Sequence, residues 1–148
     1  VKGLYDVAVH FSKCCSPVPG DEIVGFVTRG RGVSIHRTDC INIINLSDME
    51  RERLIDAEWQ HDEESGEAGL YLAEIKVFCN NRTGLLVDIT RIFTEREIDI
   101  NAIHSKTSKQ GIATIDISFN TRGKAELSSL IDKLRQIDSI IDIERTTG

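Results

Sequence analysis

The sequence predicts an α+β chain in two parts: a small β-rich Cys/His module followed by a βαββαβ unit. Three observations carry that reading. Cys14, Cys15, His36 and Cys40 crowd into the first forty residues. A polar, acidic stretch over residues 60–69 (QHDEESGEAG) interrupts the chain. Beyond it, apolar residues alternate at period two and then recur at helical spacing, twice over. The predicted division is therefore 1–59, a linker at 60–69, and 70–148.

A length of 148 residues suits one ordinary domain or two small ones, and 40% hydrophobic with 28% charged residues is globular composition. Modules this small bury thin cores, which favours a metal or a partner chain. The net charge of −6 argues against general nucleic-acid binding. It is unevenly spread, however: residues 1–45 sum to +1 and the remaining 103 to −7, so any RNA contact belongs to the front end. No apolar run approaches the roughly 18 residues of a membrane span, and no signal-peptide pattern is present. The expectation is a soluble, cytoplasmic chain with no membrane partner, and the missing initial Met reads as a fragment of something longer. Adjacent cysteines rarely bond to each other without strain, so reduced thiols are expected, some of them on a metal.

Residues 6–11 alternate like a half-buried strand. Ser16-Pro17-Val18-Pro19-Gly20 is a stiff turn, because two prolines fix φ and the glycine relieves it. Residues 21–28 and 32–36 read as strands around a hairpin tip, Arg29-Gly30-Arg31. Thr38 or Asp39 can cap a helix reaching about Leu46, with Ile41, Ile44 and Asn45 on one face. Residues 54–59 supply a last strand. In the second part, Ala73, Ile75, Val77 and Cys79 share one strand face. Leu85, Ile89, Ile92 and Phe93 then mark a helix. Residues 98–107 form a second strand, and Ala113, Ile115, Ile117 and Phe119 one face of a third. Leu127, Leu130, Ile131 and Leu134 stripe a second helix, and residues 140–145 close with a fourth strand. The order predicts a four-stranded antiparallel sheet with both helices on one face.

Tetrahedral zinc takes four sulfur or nitrogen ligands, and His36 and Cys40 have the spacing that places both at a helix start. Cys14 and Cys15 would point to opposite faces on a strand, but on a turn both sulfurs can converge. Three other readings stay open on spacing alone: buried thiols filling a core, a redox pair, and a Cys–His hydrolase for which no orienting Asp or Asn stands out.

The string HFSKCCSPVPGDEIVGFVTRGRGVSIHRTDC, residues 10–40, resembles the zinc-finger-like, conserved-cysteine domain of RelA/SpoT-type long (p)ppGpp synthetase/hydrolases. The double cysteine, the PxPGD turn, the TxGxGVxIH strand and the following DC carry the resemblance. In that family an ACT domain, a ferredoxin-like βαββαβ unit, comes next, as residues 70–148 independently read. The resemblance implies a regulatory region without its own catalytic centre, attached to catalytic N-terminal domains that synthesise or hydrolyse (p)ppGpp. It implies zinc on Cys14, Cys15, His36 and Cys40, and a first module facing ribosomal RNA. Lys13, Arg29, Arg31 and Arg37 are the cations expected to pair with phosphates there.

The turn Asn80-Asn81-Arg82-Thr83-Gly84-Leu85 runs from strand to helix, where free backbone N–H groups attract a carboxylate. Asn80, Asn81, Gly84, Leu85 and Asp99 are the expected ligand site, with Asp99 taking an ammonium group. Leu85 and Leu86 suit a small aliphatic amino acid such as valine or isoleucine. A homodimer is expected, built on an exposed sheet face carrying Leu72, Phe78 and Ile103. The competing reading is a free-standing, small-molecule-sensing ACT dimer with a structural zinc knuckle.

Overall fold

The computed structural model describes residues 8–30, 32–59 and 70–146. The predicted linker, His61 and Arg31 lie outside the described residues, as do positions 6 and 7 of the first predicted strand. The described residues form two four-stranded sheets.

The first sheet runs in the order β1-β3-β2-β4. Strand β1 (Val9–Phe11) lies parallel to β3 (Val33–Arg37), which forms an antiparallel hairpin with β2 (Ile23–Val27). Strand β4 (Leu54–Asp56) closes the other edge, antiparallel to β2. Gly25 sits mid-strand in β2, between both neighbouring strands. A Cβ there would stand 2.9 Å from the side chains of Ile55 on β4 and Val33 on β3, so either side chain would have to shift.

The predicted helix after Asp39 is shorter than expected, and its apolar stripe points elsewhere. Helix α1 covers Ile41–Ile44 and begins at Cys40, with Ile43 buried while Ile41 and Ile44 are exposed. A single turn has too few residues to set a stripe, so the contact with Cys15 and Cys40 decides which isoleucine goes inside. A second short helix, α2 (Asp48–Arg51), has no counterpart in the sequence prediction. Ser47 and Glu50 cap it reciprocally, each side chain bonding the other's backbone N–H.

The second sheet follows the predicted βαββαβ order. Strands β5 (Tyr71–Asn80), β6 (Ile100–Thr107), β7 (Ile112–Thr121) and β8 (Ile140–Arg145) pair antiparallel in the order β6-β7-β5-β8. Helices α3 (Leu85–Glu95) and α4 (Lys124–Leu134) cover one face. Their residues Leu85, Ile89, Phe93, Leu127, Leu130 and Leu134 pack on Ala73, Ile75, Val77, Cys79, Ile115, Ile117 and Phe119. Phe93 and Phe119 meet edge to face at 5.2 Å, a geometry that adds to their burial.

The open face carries Leu72 and Phe78 as expected, since they alternate with buried Ala73, Ile75 and Val77, but it differs from expectation elsewhere. It is largely polar, with Glu74, Lys76, His104, Asp116 and Ser118 across it. Ile103 does not lie on it. A bulge between Ile100 and Ala102 shifts the register, so Ile103 pairs with Ile117 on the helix side of the sheet.

The two sheets are joined by direct packing. Val18, from the Pro-rich turn of the first module, is fully buried in the core of the second. The Lys124 amide donates to the Pro19 carbonyl at 2.7 Å, and a Cβ at Gly20 would lie 2.7 Å from the Lys124 Cβ. Gly20 also has φ +105, which favours glycine on conformational grounds. Phe11, Trp59 and Tyr71 form a second contact: Phe11 stacks on Trp59 at 5.4 Å, and Tyr71 meets both edge-on.

Candidate functional site

Cys14, Cys15, His36 and Cys40 are brought together by three separate elements. Residues 12–16 make one helical turn, closed by the Ser16 amide donating to the Ser12 carbonyl at 3.0 Å. Ser16 then takes φ +46, which ends the turn. Two consecutive residues on a helical turn lie about 100° apart rather than opposed, so both sulfurs can face inward. Strand β3 supplies His36, and the start of α1 supplies Cys40.

The four ligand atoms lie within 4.8 Å of one another. Cys14 Sγ is 3.5 Å from His36 Nδ1 and 3.5 Å from Cys40 Sγ, and Cys15 Sγ is 3.9 Å from His36 Nδ1. A tetrahedral zinc with Zn–S near 2.3 Å and Zn–N near 2.0 Å has ligand–ligand edges of about 3.5–3.8 Å. The donor set and its spacing therefore fit that ion.

The outer partners fit as well. Ser12 Oγ bonds His36 Nε2 at 3.0 Å, which orients the ring so that Nδ1 faces the sulfurs. The Arg37 amide donates to Cys15 Sγ at 3.3 Å, a bond that favours thiolate. Burial pushes the Cys15 thiol up to about 12 against the lowering effect of the Arg37 amide, and the neighbouring Cys14 and Cys40 raise it further. Burial likewise raises Cys40, and it lowers His36 with help from His10. Without an ion, burial thus favours the protonated thiols of Cys15 and Cys40 and the neutral imidazole of His36. A bound cation reverses the balance for the thiols by displacing their protons.

Among the described residues, the cations predicted for RNA do not form one patch. Lys13 is exposed beside Cys14, and Arg29 is exposed at the tip of the β2–β3 hairpin, the opposite end of β3 from His36. Arg37 turns inward. It is 4% exposed, and its guanidinium donates to Asp39 at 2.8 and 3.1 Å. Alternation along β3 puts Arg37 on the buried side, opposite the flanking His36, so it braces the loop before Cys40 rather than facing solvent.

In the second module, Gly84 has φ +80 at the start of α3, and Asn81, Gly84 and Leu85 line a cavity of about 170 Å³ with Ser105 and Ile115. Sequence reasoning misses Ser105, which carries no motif of its own, and reads Arg82 only as part of the turn, without its bonding role. Arg82 bonds Asp88 at 2.6 Å and reaches Ser139, tying the turn to the helix and to the loop before β8. Asn80 ends β5 outside this cavity, its amide bonded to the Ser139 carbonyl. Asp99 lies at the opposite end of the sheet. Its carbonyl accepts from the Asn120 amide, and it lines a different cleft with Arg96 and Arg122. Within one chain Asn81 and Asp99 therefore do not share a site. Cys79, on the apolar face, is a buried thiol raised by burial.

Comparison with known proteins places both modules. The family model of the ACT domain matches residues 67–145, more than half of the chain, and that of the RelA/SpoT RIS domain matches residues 1–60. The chain belongs to the ACT domain family, here behind a RelA/SpoT RIS module. Over its whole length it is 40% identical to the GTP pyrophosphokinase of Escherichia coli (strain K12), covering 20% of that protein. It is 38% identical to that of Streptomyces coelicolor, covering 17% of it. The chain thus spans about a fifth of the relatives it matches. The crystal structure of the ACT domain from the GTP pyrophosphokinase of Chlorobium tepidum is 26% identical, over 52% of this chain and 99% of that one, with a TM-score of 0.47. Among the described residues, no helix is long and apolar enough to cross a membrane.

Proposed function

We propose that this chain is the regulatory C-terminal region of a (p)ppGpp synthetase/hydrolase. In this reading the RIS module engages ribosomal RNA, and the ACT module binds a small amino acid. The observation that carries it is the full-length identity of 40% to a GTP pyrophosphokinase, running through both modules in order. The catalytic domains belong to the remainder of the parent protein, and the chain itself performs no chemistry on nucleotides.

Zinc, held by Cys14, Cys15, His36 and Cys40, supplies structural cross-linking. Lys13, Arg29 and Arg31 are the proposed phosphate contacts. The test is pelleting with ribosomes across a salt series. Arg29→Ala should keep the metal and the fold yet weaken binding, with a salt dependence shallower by roughly one unit of slope for each phosphate no longer neutralised. Unchanged affinity and slope for Arg29→Ala and Lys13→Ala together would remove this surface from the reading.

For the ACT site, the second element is supplied by another copy. Strand β6 is a sheet edge, and Leu86, Val87 and Ile103 stand exposed beside it at 44%, 57% and 41%. Antiparallel pairing of two β6 edges would carry the start of one β6, with Asp99, to the end of the other, beside Asn81 and Gly84. Dimerisation and amino-acid binding are then linked. Titration calorimetry with valine, isoleucine and leucine should show stereospecific heat for at least one. Gly84→Ala or Asn81→Ala should weaken it by roughly 1–3 kcal/mol. No heat with any of them would leave the cavity without a ligand and favour a purely structural ACT pairing.

A further inference from the structure

The segment bearing Cys14 and Cys15 does not end at the metal cluster. It continues through Ser16, Val18, Pro19 and Asp21 into the second module, and each of these is gripped there. Asp21, 8% exposed, receives Arg145 from β8 at 2.7 Å and 2.9 Å, one bond to each carboxylate oxygen. The same guanidinium donates to the Ser16 carbonyl at 3.1 Å. Asp21 also accepts from the Val18 amide at 2.8 Å, which fixes the turn between the two prolines. Arg145 is 124 residues away in sequence from Asp21 and belongs to the last strand of the other sheet.

A bidentate, largely buried guanidinium–carboxylate pair has a narrow geometry. It sets the position of Ser16, the residue directly after Cys15. We infer that Arg145 is a positioning residue for the metal centre, so that ion binding at the Cys/His cluster and docking of the ACT module form one coupled equilibrium. This rests on the proposal that the cluster holds a metal. Groups that orient metal ligands from outside commonly change metal affinity 10–100-fold. Coupling between two equilibria is reciprocal, so whatever factor Arg145 contributes to metal affinity, the metal returns to docking. Gain or loss of the ion is thereby transmitted to the orientation of a module that touches none of the ligands.

The experiment uses the full chain and two readouts. Zinc affinity is measured by chelator competition for the parent, Arg145→Ala and a control, Arg135→Ala, which pairs with exposed Asp142 at 3.9 Å and bonds the Ile143 carbonyl at 3.3 Å, both partners lying in β8 and neither in the first module. Arg145→Ala should raise the zinc dissociation constant about tenfold, and Arg135→Ala should leave it unchanged. Hydrogen exchange of the parent is then compared with and without zinc. Protection of the Val18 and Lys124 amides should fall on removing the ion, while Ile115 and Ile117 in the ACT sheet stay protected. An unchanged zinc constant in a folded Arg145→Ala, or identical exchange at Val18 and Lys124 in both states, overturns the inference. Should Arg145→Ala not fold, the exchange comparison on the parent decides alone. A parent that binds no zinc overturns the metal assignment itself, an outcome distinct from zinc bound without coupling.

Discussion

Cys40→Ser should cost the RIS module its cooperative fold. Cys40 is fully buried, and its sulfur faces Cys14 Sγ at 3.5 Å, so serine replaces a soft ligand with a shorter, harder one. The core around it is small, with Cys15 and Ile43 as its other buried members. In a module of that size the free energy of metal binding is folding free energy. Zinc affinity should fall by at least about a hundredfold, beyond what outer-partner changes cause. Thermal unfolding followed at Trp59 should lose its sharp transition, while the ACT transition persists. The mutant should also pellet poorly with ribosomes, although Cys40 touches no RNA in this account. A Cys40→Ser chain that melts and binds like the parent would mean that the cluster is ordinary core packing.

Val18→Asp is the second large effect expected. Val18 is 0% exposed and sits inside the core of the other module, among residues more than fifty positions away. A carboxylate there has no partner in an apolar surround, a cost of roughly 3 kcal/mol or more. The ACT sheet has its own core of helix and strand residues, so the expected outcome is undocking rather than collapse. The Phe11–Trp59–Tyr71 cluster should open, shifting Trp59 fluorescence to the red. The ACT sheet amides should stay protected. Global unfolding of both sheets together would instead show that the second core cannot stand without Val18.

The same residue shows where sequence reading reaches its limit. The second module is legible because long strands and helices repeat one period over ten or eleven residues, as in β5 and α3. Four residues, as in α1, are too few to show any period, and the choice between Ile43 and its neighbours falls to tertiary contact. Ile103 reads onto the wrong face because a single bulged residue inverts everything after it. The metal ligands are legible as residue types, yet the means of their convergence, a helical turn over residues 12–16, lies in backbone hydrogen bonding. Arg37 reads as an exposed cation, and only strand parity turns it inward to Asp39. The pairing of Asp21 with Arg145 carries no local signature at all. Each has ordinary neighbours, and only the docking of the two sheets joins them.

That docking carries a pH signature of known sign. Burial pushes the Asp21 carboxyl up, but bonds from Arg145 and the Val18 amide, with the charges of Arg145 and Arg37, outweigh it and hold it below its usual value. A depressed carboxyl contributes stability that is present above its unfolded value, near pH 4, and is lost as pH falls through the folded one. Undocking should therefore set in on the acid side, with the neutral range unaffected.

The central claim is that Cys14, Cys15, His36 and Cys40 hold one structural zinc that organises the RIS module, and X-ray absorption at the zinc edge tests it most directly. Chain purified without chelator should carry about one zinc per molecule. The spectrum should fit three sulfurs near 2.3 Å and one nitrogen near 2.0 Å, with the nitrogen shell lost in His36→Ala. A chain without zinc, or zinc in an oxygen-rich shell that His36→Ala leaves unchanged, would contradict the account.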